Sequence, residues 1–260
     1  MPVVTRAGVA LHYSTVGSGP PIFFHTGGGG DGSMWATAGY VDRLPGHRHI
    51  MFDHRGHGRS DRPTTAAQHR LTEYVDDVRA VLGAEEAVPA VYIGYSAGAF
   101  VGCALAAGFP DLVSALVLIG GVAHPDDDRR AWNRQAAEEV RASGVTAAIE
   151  KMSAAESEPP PAWFVYNLTT TTDEMFALYL EAWADEPNES TFFSAIRCPT
   201  LIVCGDREND DGSAELGQAA LDDGEITVIP ECGHLQVFWD GQRTAPAIAE
   251  FLTRKTSSAA

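Results

Sequence analysis

Apolar positions along the chain gather into short runs, and helical stretches separate them. Val9-Ala10-Leu11-His12-Tyr13-Ser14-Thr15 alternates as a half-buried strand does, and Gly17-Ser18-Gly19-Pro20-Pro21 turns the chain after it. Ile22-Phe23-Phe24-His25 and His49-Ile50-Met51-Phe52-Asp53 are two further short strands, each running into a glycine-punctuated loop. Leu71, Val75, Val78 and Leu82 recur at helical spacing, with Thr72 placed to cap that helix and Gly83 to end it. Ala115-Leu116-Val117-Leu118-Ile119 and Leu201-Ile202-Val203-Cys204 are uninterrupted apolar runs, which suit strands buried on both faces of a parallel sheet. Glu225 to Pro230 reads as the last strand, and a closing helix carries Ile248, Phe251 and Leu252 on one side. Strands that alternate with crossover helices predict a doubly wound, mostly parallel α/β sheet.

The rhythm breaks once. Residues 125–195 carry 14 acidic and five basic side chains, a formal charge of −9 out of −17 for the whole chain, together with Trp132, Trp163, Phe164, Tyr166, Phe176, Tyr179 and Trp183. Thr171-Thr172-Asp173-Glu174 fits a capping box that opens a helix, and Pro159-Pro160-Pro161 is a rigid break between helical pieces. So short and acidic a segment buries little core by itself. The expected organisation is a core of residues 1–124 and 196–260 with a helical lid at 125–195.

One stretch carries a chemical signature. The strand Val91-Tyr92-Ile93 runs into Gly94-Tyr95-Ser96-Ala97-Gly98 and then into a small-residue helix. A serine at such a strand–turn–helix apex adopts a strained backbone, glycines two residues away on either side remove clashing Cβ atoms, and the helix N-terminus behind it offers N–H groups to an anion. His234, on a turn after the last strand, is the candidate base for that hydroxyl. Its ring titrates near neutrality, whereas a serine hydroxyl alone is a poor nucleophile.

Charge and composition narrow the field. The net charge of −17 argues against nucleic acid and anionic membrane as partners. Residues 41–70 depart locally with six arginines against three aspartates, but glycine and proline break them up, and local pairing is expected. Cys103, Cys198, Cys204 and Cys232 lack C-x-x-C spacing and read as free buried thiols. Neither a secretory signal nor a membrane-length apolar run is visible, so the protein reads as cytoplasmic, with a homo-oligomer left open.

Five segments together resemble the α/β-hydrolase fold superfamily: Phe24-His25-Thr26-Gly27-Gly28, Asp53-His54-Arg55-Gly56-His57-Gly58-Arg59-Ser60, Gly94-Tyr95-Ser96-Ala97-Gly98, Leu201 to Glu208, and Cys232-Gly233-His234. They occur in the family's order over residues 9–254, with an acid between serine and histidine. The resemblance implies a lid inserted after strand 6 and a Ser96–His234–acid triad working without a metal or other cofactor. The acid falls at Glu208 by its position after the Gly205 strand end, a departure from the commoner aspartate. Asp206 and Asp210 stay as alternatives, as does an acid after Ile119 such as Asp126. The family's oxyanion donors fall on the N–H groups of Ala97 and Gly27, with Gly28 as alternative because Thr26 replaces a usual glycine. The 53–60 turn is structural in the family. Trp35, Tyr95, Trp132, Trp163 and Phe164 are the candidate pocket residues. The implied reaction is hydrolysis of a carboxylic ester or lactone of a small, largely apolar substrate through an acyl-enzyme. Carbon–carbon bond hydrolysis, cofactor-free haloperoxidase or perhydrolase chemistry, and acyl transfer use the same triad, and the fold also serves as a non-catalytic small-molecule receptor.

Overall fold

The computed structural model describes residues 1–120, 126–209 and 212–257, leaving aside the side chains of 126–129 and 256–257. Eight strands form one sheet: β1 (Val3–Arg6), β2 (Val9–Gly17), β3 (Pro21–His25), β4 (Arg48–Phe52), β5 (Ala90–Tyr95), β6 (Val113–Ile119), β7 (Thr200–Gly205) and β8 (Gly224–Ile229). Their order is β1-β2-β4-β3-β5-β6-β7-β8, with β2 antiparallel to both its neighbours and every other pair parallel. β1 escaped the sequence reading because four residues at a sheet edge carry too little periodicity.

Alternation along the central strands sorts side chains onto two faces, as a period of two requires. Phe23, Phe52, Tyr92, Leu116, Leu118 and Ile202 pack into one apolar layer. Their neighbours Phe24, Met51, Val91, Ile93, Val117 and Leu201 pack into the other. Helices cover both. Around the glycine loop after β3 lie α1 (Ser33–Thr37) and α2 (Tyr40–Arg43); α3 (Leu71–Ala84) and α4 (Ala97–Gly108) follow. The expected Thr72 cap is not formed. Helix α3 already begins at Leu71, whose N–H donates to Glu186 Oε1 from the insert at 3.1 Å.

Between β6 and β7 the chain leaves the sheet for α5 (Asp126–Ser153), α6 (Ala162–Leu168), α7 (Asp173–Ala184) and α8 (Ser190–Phe193). Helix α5 is interrupted at Gly144, at φ 83° and ψ 159°. The capping expectation at α7 shifts by one residue. Thr172 is the cap and accepts the Met175 N–H at 3.2 Å, while Glu174 turns outward to Arg141. Trp183 fastens the insert to the core, donating its indole N–H to His69 O at 2.9 Å and meeting the rings of Tyr74 and Phe100 edge-on. Helices α9 (Ser213–Ala219), α10 (Gln236–Trp239) and α11 (Gly241–Ser257) complete the chain. Among the described residues no helix is long and apolar enough to cross a membrane.

Candidate active site

Strand order reverses between β3 and β5: from β3 the chain moves to β4 on one side, and from β5 onward to β6, β7 and β8 on the other. Two neighbouring parallel strands whose connections leave in opposite directions open a crevice at their carboxyl ends, the usual ligand site of such sheets. His25 and Gly94 are paired at that edge, so the 26–30 loop and the turn at Ser96 face each other there.

Ser96 has φ 50° and ψ −115°, an unfavourable backbone for a residue with a Cβ. It is held there because its N–H donates to Ile119 O at 2.8 Å and its carbonyl accepts from Phe100 at 3.1 Å. The flanking glycines permit the turn: a Cβ on Gly94 would come 2.4 Å from the Gly98 backbone, and one on Gly98 would come 2.1 Å from His25 O. The hydroxyl lies 3.0 Å from His234 Nε2. On the far side of the ring, Nδ1 is 2.5 Å from Glu208 Oε1. Gly120, at φ +60°, backs this pair so closely that a Cβ would sit 3.0 Å from His234 Cε1 and 3.4 Å from Glu208 Oε1. Burial pulls the His234 pKa down, but the charge and hydrogen bond of Glu208, with the charge of Glu156, outweigh it and leave the pKa raised.

Of the other candidate acids, Asp206 is engaged elsewhere. Asp206 accepts the Cys232 N–H at 3.2 Å, and backbone N–H groups from the 231–232 turn hold its carboxyl below the usual carboxylate range. Asp210 lies outside the described residues, as does the side chain of Asp126.

Ala97 is the first residue of α4, so its N–H has no carbonyl one turn behind it. In the facing loop, the Gly29 N–H donates to His57 Nε2 at 2.8 Å and the Gly30 N–H to Gly27 O at 3.3 Å. A Cβ on Gly27 would come 3.0 Å from Ser96 Cβ, so this backbone passes beside the serine. A Cβ on Gly28 would meet Tyr179 at 2.9 Å and Phe176 at 3.1 Å. Leu168 approaches Gly29 in the same way. The insert thus reaches the glycine loop through α6 and α7.

The candidate pocket residues divide. Tyr95 lies at the site, its hydroxyl donating to His234 O at 3.2 Å and its ring stacked on Phe238 at 4.3 Å. Trp35 is a core residue instead, fully buried against Phe24, Tyr40 and Phe238. Trp132 stands 53% exposed to solvent, because its part of α5 turns that side outward. Phe164 and Trp163 pack against each other, and Phe164 docks on Trp239 and Phe238, which makes them part of the seam between insert and core. Phe176, Tyr179 and Leu168 are the insert side chains that meet the glycine loop.

His54 and His57 are buried in the 53–60 turn, where His57 serves as the acceptor for Gly29. The four cysteines are free. Burial pushes the Cys198, Cys204 and Cys232 thiols up to about 11, 12 and 11, so none of these is a thiolate at neutral pH.

A model of families with the alpha/beta hydrolase fold matches residues 20–142. Among curated sequences, a Mycobacterium tuberculosis protein provisionally named non-heme bromoperoxidase BpoC is 26% identical over 94% of this chain and 97% of its own length. Its solved structure superposes with a TM-score of 0.77. An Azorhizobium caulinodans protein provisionally named carbamate hydrolase RutD is 28% identical over 67% of this chain, and the match spans 64% of that protein. A thermophilic esterase from Thermogutta terrifontis shares the fold at a TM-score of 0.82, with 24% identity over 97% of both chains.

Proposed function

We propose that the chain is a hydrolase of the α/β-hydrolase superfamily and that it cleaves a carboxylic ester or lactone through an acyl-enzyme on Ser96. The observation that carries this reading is the continuous chain of short contacts from Ser96 Oγ through His234 to Glu208, at 3.0 and 2.5 Å, set at the reversal point of the sheet. In the first step Oγ bonds to the substrate carbonyl carbon while its proton passes to His234 Nε2. Glu208 holds the ring through Nδ1 and stabilises the imidazolium so formed. The carbonyl oxygen, now an anion, accepts from the N–H groups of Ala97 and Gly27. The bond to the leaving alkoxide then breaks, and the alkoxide takes the proton from His234. Water repeats the sequence on the acyl-enzyme, delivering its proton to His234, releasing the acid and restoring Ser96.

The insert acts as the lid. Tyr179, Phe176 and Leu168 close over the glycine loop and make its surroundings apolar, which suits a small, largely apolar acyl or alcohol group. The test is hydrolysis of a short-chain aryl ester by the wild type and by Ser96→Ala. Loss of turnover by ~10⁴-fold or more is expected, and retained turnover overturns the reading.

The full-length likeness to a protein named as a bromoperoxidase favours one second reading. Hydrogen peroxide in place of water would carry the acyl group off as a peracid, with His234 taking the peroxide proton. Peracid formation that competes with acid release at millimolar peroxide would support it.

A further inference from the structure

We propose that Glu156, a residue of the insert, is a positioning residue for His234: it grips the backbone on both sides of the histidine and so aims the ring at Ser96. Glu156 Oε2 accepts the Gly233 N–H and Glu156 Oε1 accepts the Leu235 N–H, each at 2.8 Å. Both oxygens of one carboxylate are therefore spent on the two peptide groups that bracket residue 234. Fixing those peptides fixes the direction of the His234 Cα–Cβ bond, which no contact to the ring alone does.

Three further observations show that this grip is built in. Ala154, Ala155 and Glu156 each donate a backbone N–H to the residue three positions back, at 3.3, 3.3 and 3.1 Å, so the segment leaving α5 winds down in consecutive turns. The next residue, Ser157, donates both its N–H (3.2 Å) and its hydroxyl (2.7 Å) to Gln236 Oε1, and Gln236 is buried. Two consecutive insert residues thus make four hydrogen bonds to the 233–236 loop. Finally, a Cβ on residue 233 would lie 2.6–2.8 Å from the Glu156 carboxylate, so a glycine precedes the histidine at the position where the carboxylate comes closest.

The carboxylate also acts through its charge. The groups facing His234 are Glu208 from the loop after β7, Glu156 from the insert, and the Ser96 hydroxyl and Tyr95 phenol from the β5 turn; behind the loop, Cys232 lies among Asp206, Asp240 and Arg243. Glu208 and Glu156 both favour the imidazolium. Glu156 is therefore placed to hold the base during the reaction and to share in stabilising its cation, without touching substrate.

This inference rests on His234 being the general base, and its test separates the two. Ester hydrolysis is measured from pH 5 to 9 for the wild type, Glu156→Ala, Glu156→Gln and Glu156→Asp. Glu156→Ala is expected to lower kcat by up to ~10²-fold with KM near the wild-type value, because the ring is mis-set but the pocket is intact. Both Glu156→Ala and Glu156→Gln move the acid limb of kcat/KM to lower pH, and Glu156→Asp recovers the wild-type limb. Wild-type kcat in Glu156→Ala, or a fall in activity and melting temperature with the acid limb unmoved, overturns the proposal. The same titration read by NMR on the His234 ring, comparing Ser96→Ala with Ser96→Ala/Glu156→Gln, needs no turnover. Its midpoint falls in the double variant if Glu156 governs the histidine, and an unchanged midpoint overturns the proposal even if the hydrolase reading has failed by itself.

Discussion

The sheet core and the helical insert hold their charges in opposite ways. In the core, Arg55 is 1% exposed and directs Nε and Nη2 to the two oxygens of Asp77 at 2.6 and 2.7 Å, while Nη1 donates to Gln68 O. Arg6 reaches across from β1 to the same aspartate at 2.6 Å. In the same core, His25, His54, His57 and His69 are all buried. In the insert, Arg141 bridges Glu174 and Glu181, Lys151 meets Glu139, and Arg134 meets Asp185, all with substantial solvent contact. A charge removed from water needs a partner, whereas a hydrated one does not. The core's polar groups are therefore part of its frame. The insert holds these pairs at a hydrated surface and attaches through aromatic rings and a few N–H bonds, those to Glu156 and Glu186 among them.

That contrast is open to test at four points. The largest effect belongs to Glu208→Gln, which keeps the shape but removes the charge that orients and stabilises the His234 ring. A fall in kcat of ~10⁴-fold is expected, and a fall below tenfold would pass the acid role to another carboxylate. Asp77→Ala comes next, since it leaves Arg55 buried without a counter-ion. Chemical denaturation should show a loss of ~3–5 kcal/mol, and a loss under ~1 kcal/mol would mean that water reaches the pair.

Acid titration of stability is third. Burial, reinforced by its histidine neighbour, lowers the His25 pKa to about 3, and burial lowers that of His57 to about 4. In the unfolded chain both rings bind protons near ~6.5, so between that value and the folded pKa values the unfolded state holds more protons. Stability therefore falls as pH drops below ~6.5, by up to ~1.4 kcal/mol per pH unit for each ring, until the folded-state pKa values are reached. A flat profile from pH 6.5 to 5 would show that these rings are already charged or hydrated in the fold. The smallest effect is Arg141→Ala in the insert, expected to change unfolding free energy by no more than ~0.5 kcal/mol. A larger loss would erase the contrast.

The same division explains what was legible in the sequence. The turn at Ser96 is a local demand on the backbone, met by Gly94 and Gly98 within the segment itself, and so it is readable from a few residues. The strands are readable because burial on both faces leaves uninterrupted apolar runs. Glu208 was one of several acids that the family resemblance offered, and its 2.5 Å contact with His234 is a tertiary fact that the sequence does not contain. Glu156 was not readable. It is one of 14 acidic residues in the insert, and only the tertiary approach of its segment to Gly233 sets it apart. The surroundings of Trp35, buried, and of Trp132, half-exposed, were hidden for a related reason. An aromatic near a loop in sequence is equally suited to core, pocket or surface, and packing of distant elements decides among them. Thr72 lost its capping role to Glu186, 114 positions away in the chain and invisible to any local rule.

The run Gly27-Gly28-Gly29-Gly30 reads as a flexible tether in isolation, but in the folded protein it is a mould filled from above by Tyr179, Phe176 and Leu168. Its composition and that of α7 are consequently not free to drift separately. Chains descended from a common ancestor with this one that acquire alanine or serine at position 28 should carry a smaller side chain at 179 or 176. Exchanging both sites together should be tolerated where exchanging the loop alone is not. Inheritance at this roof is then expected to run in matched pairs.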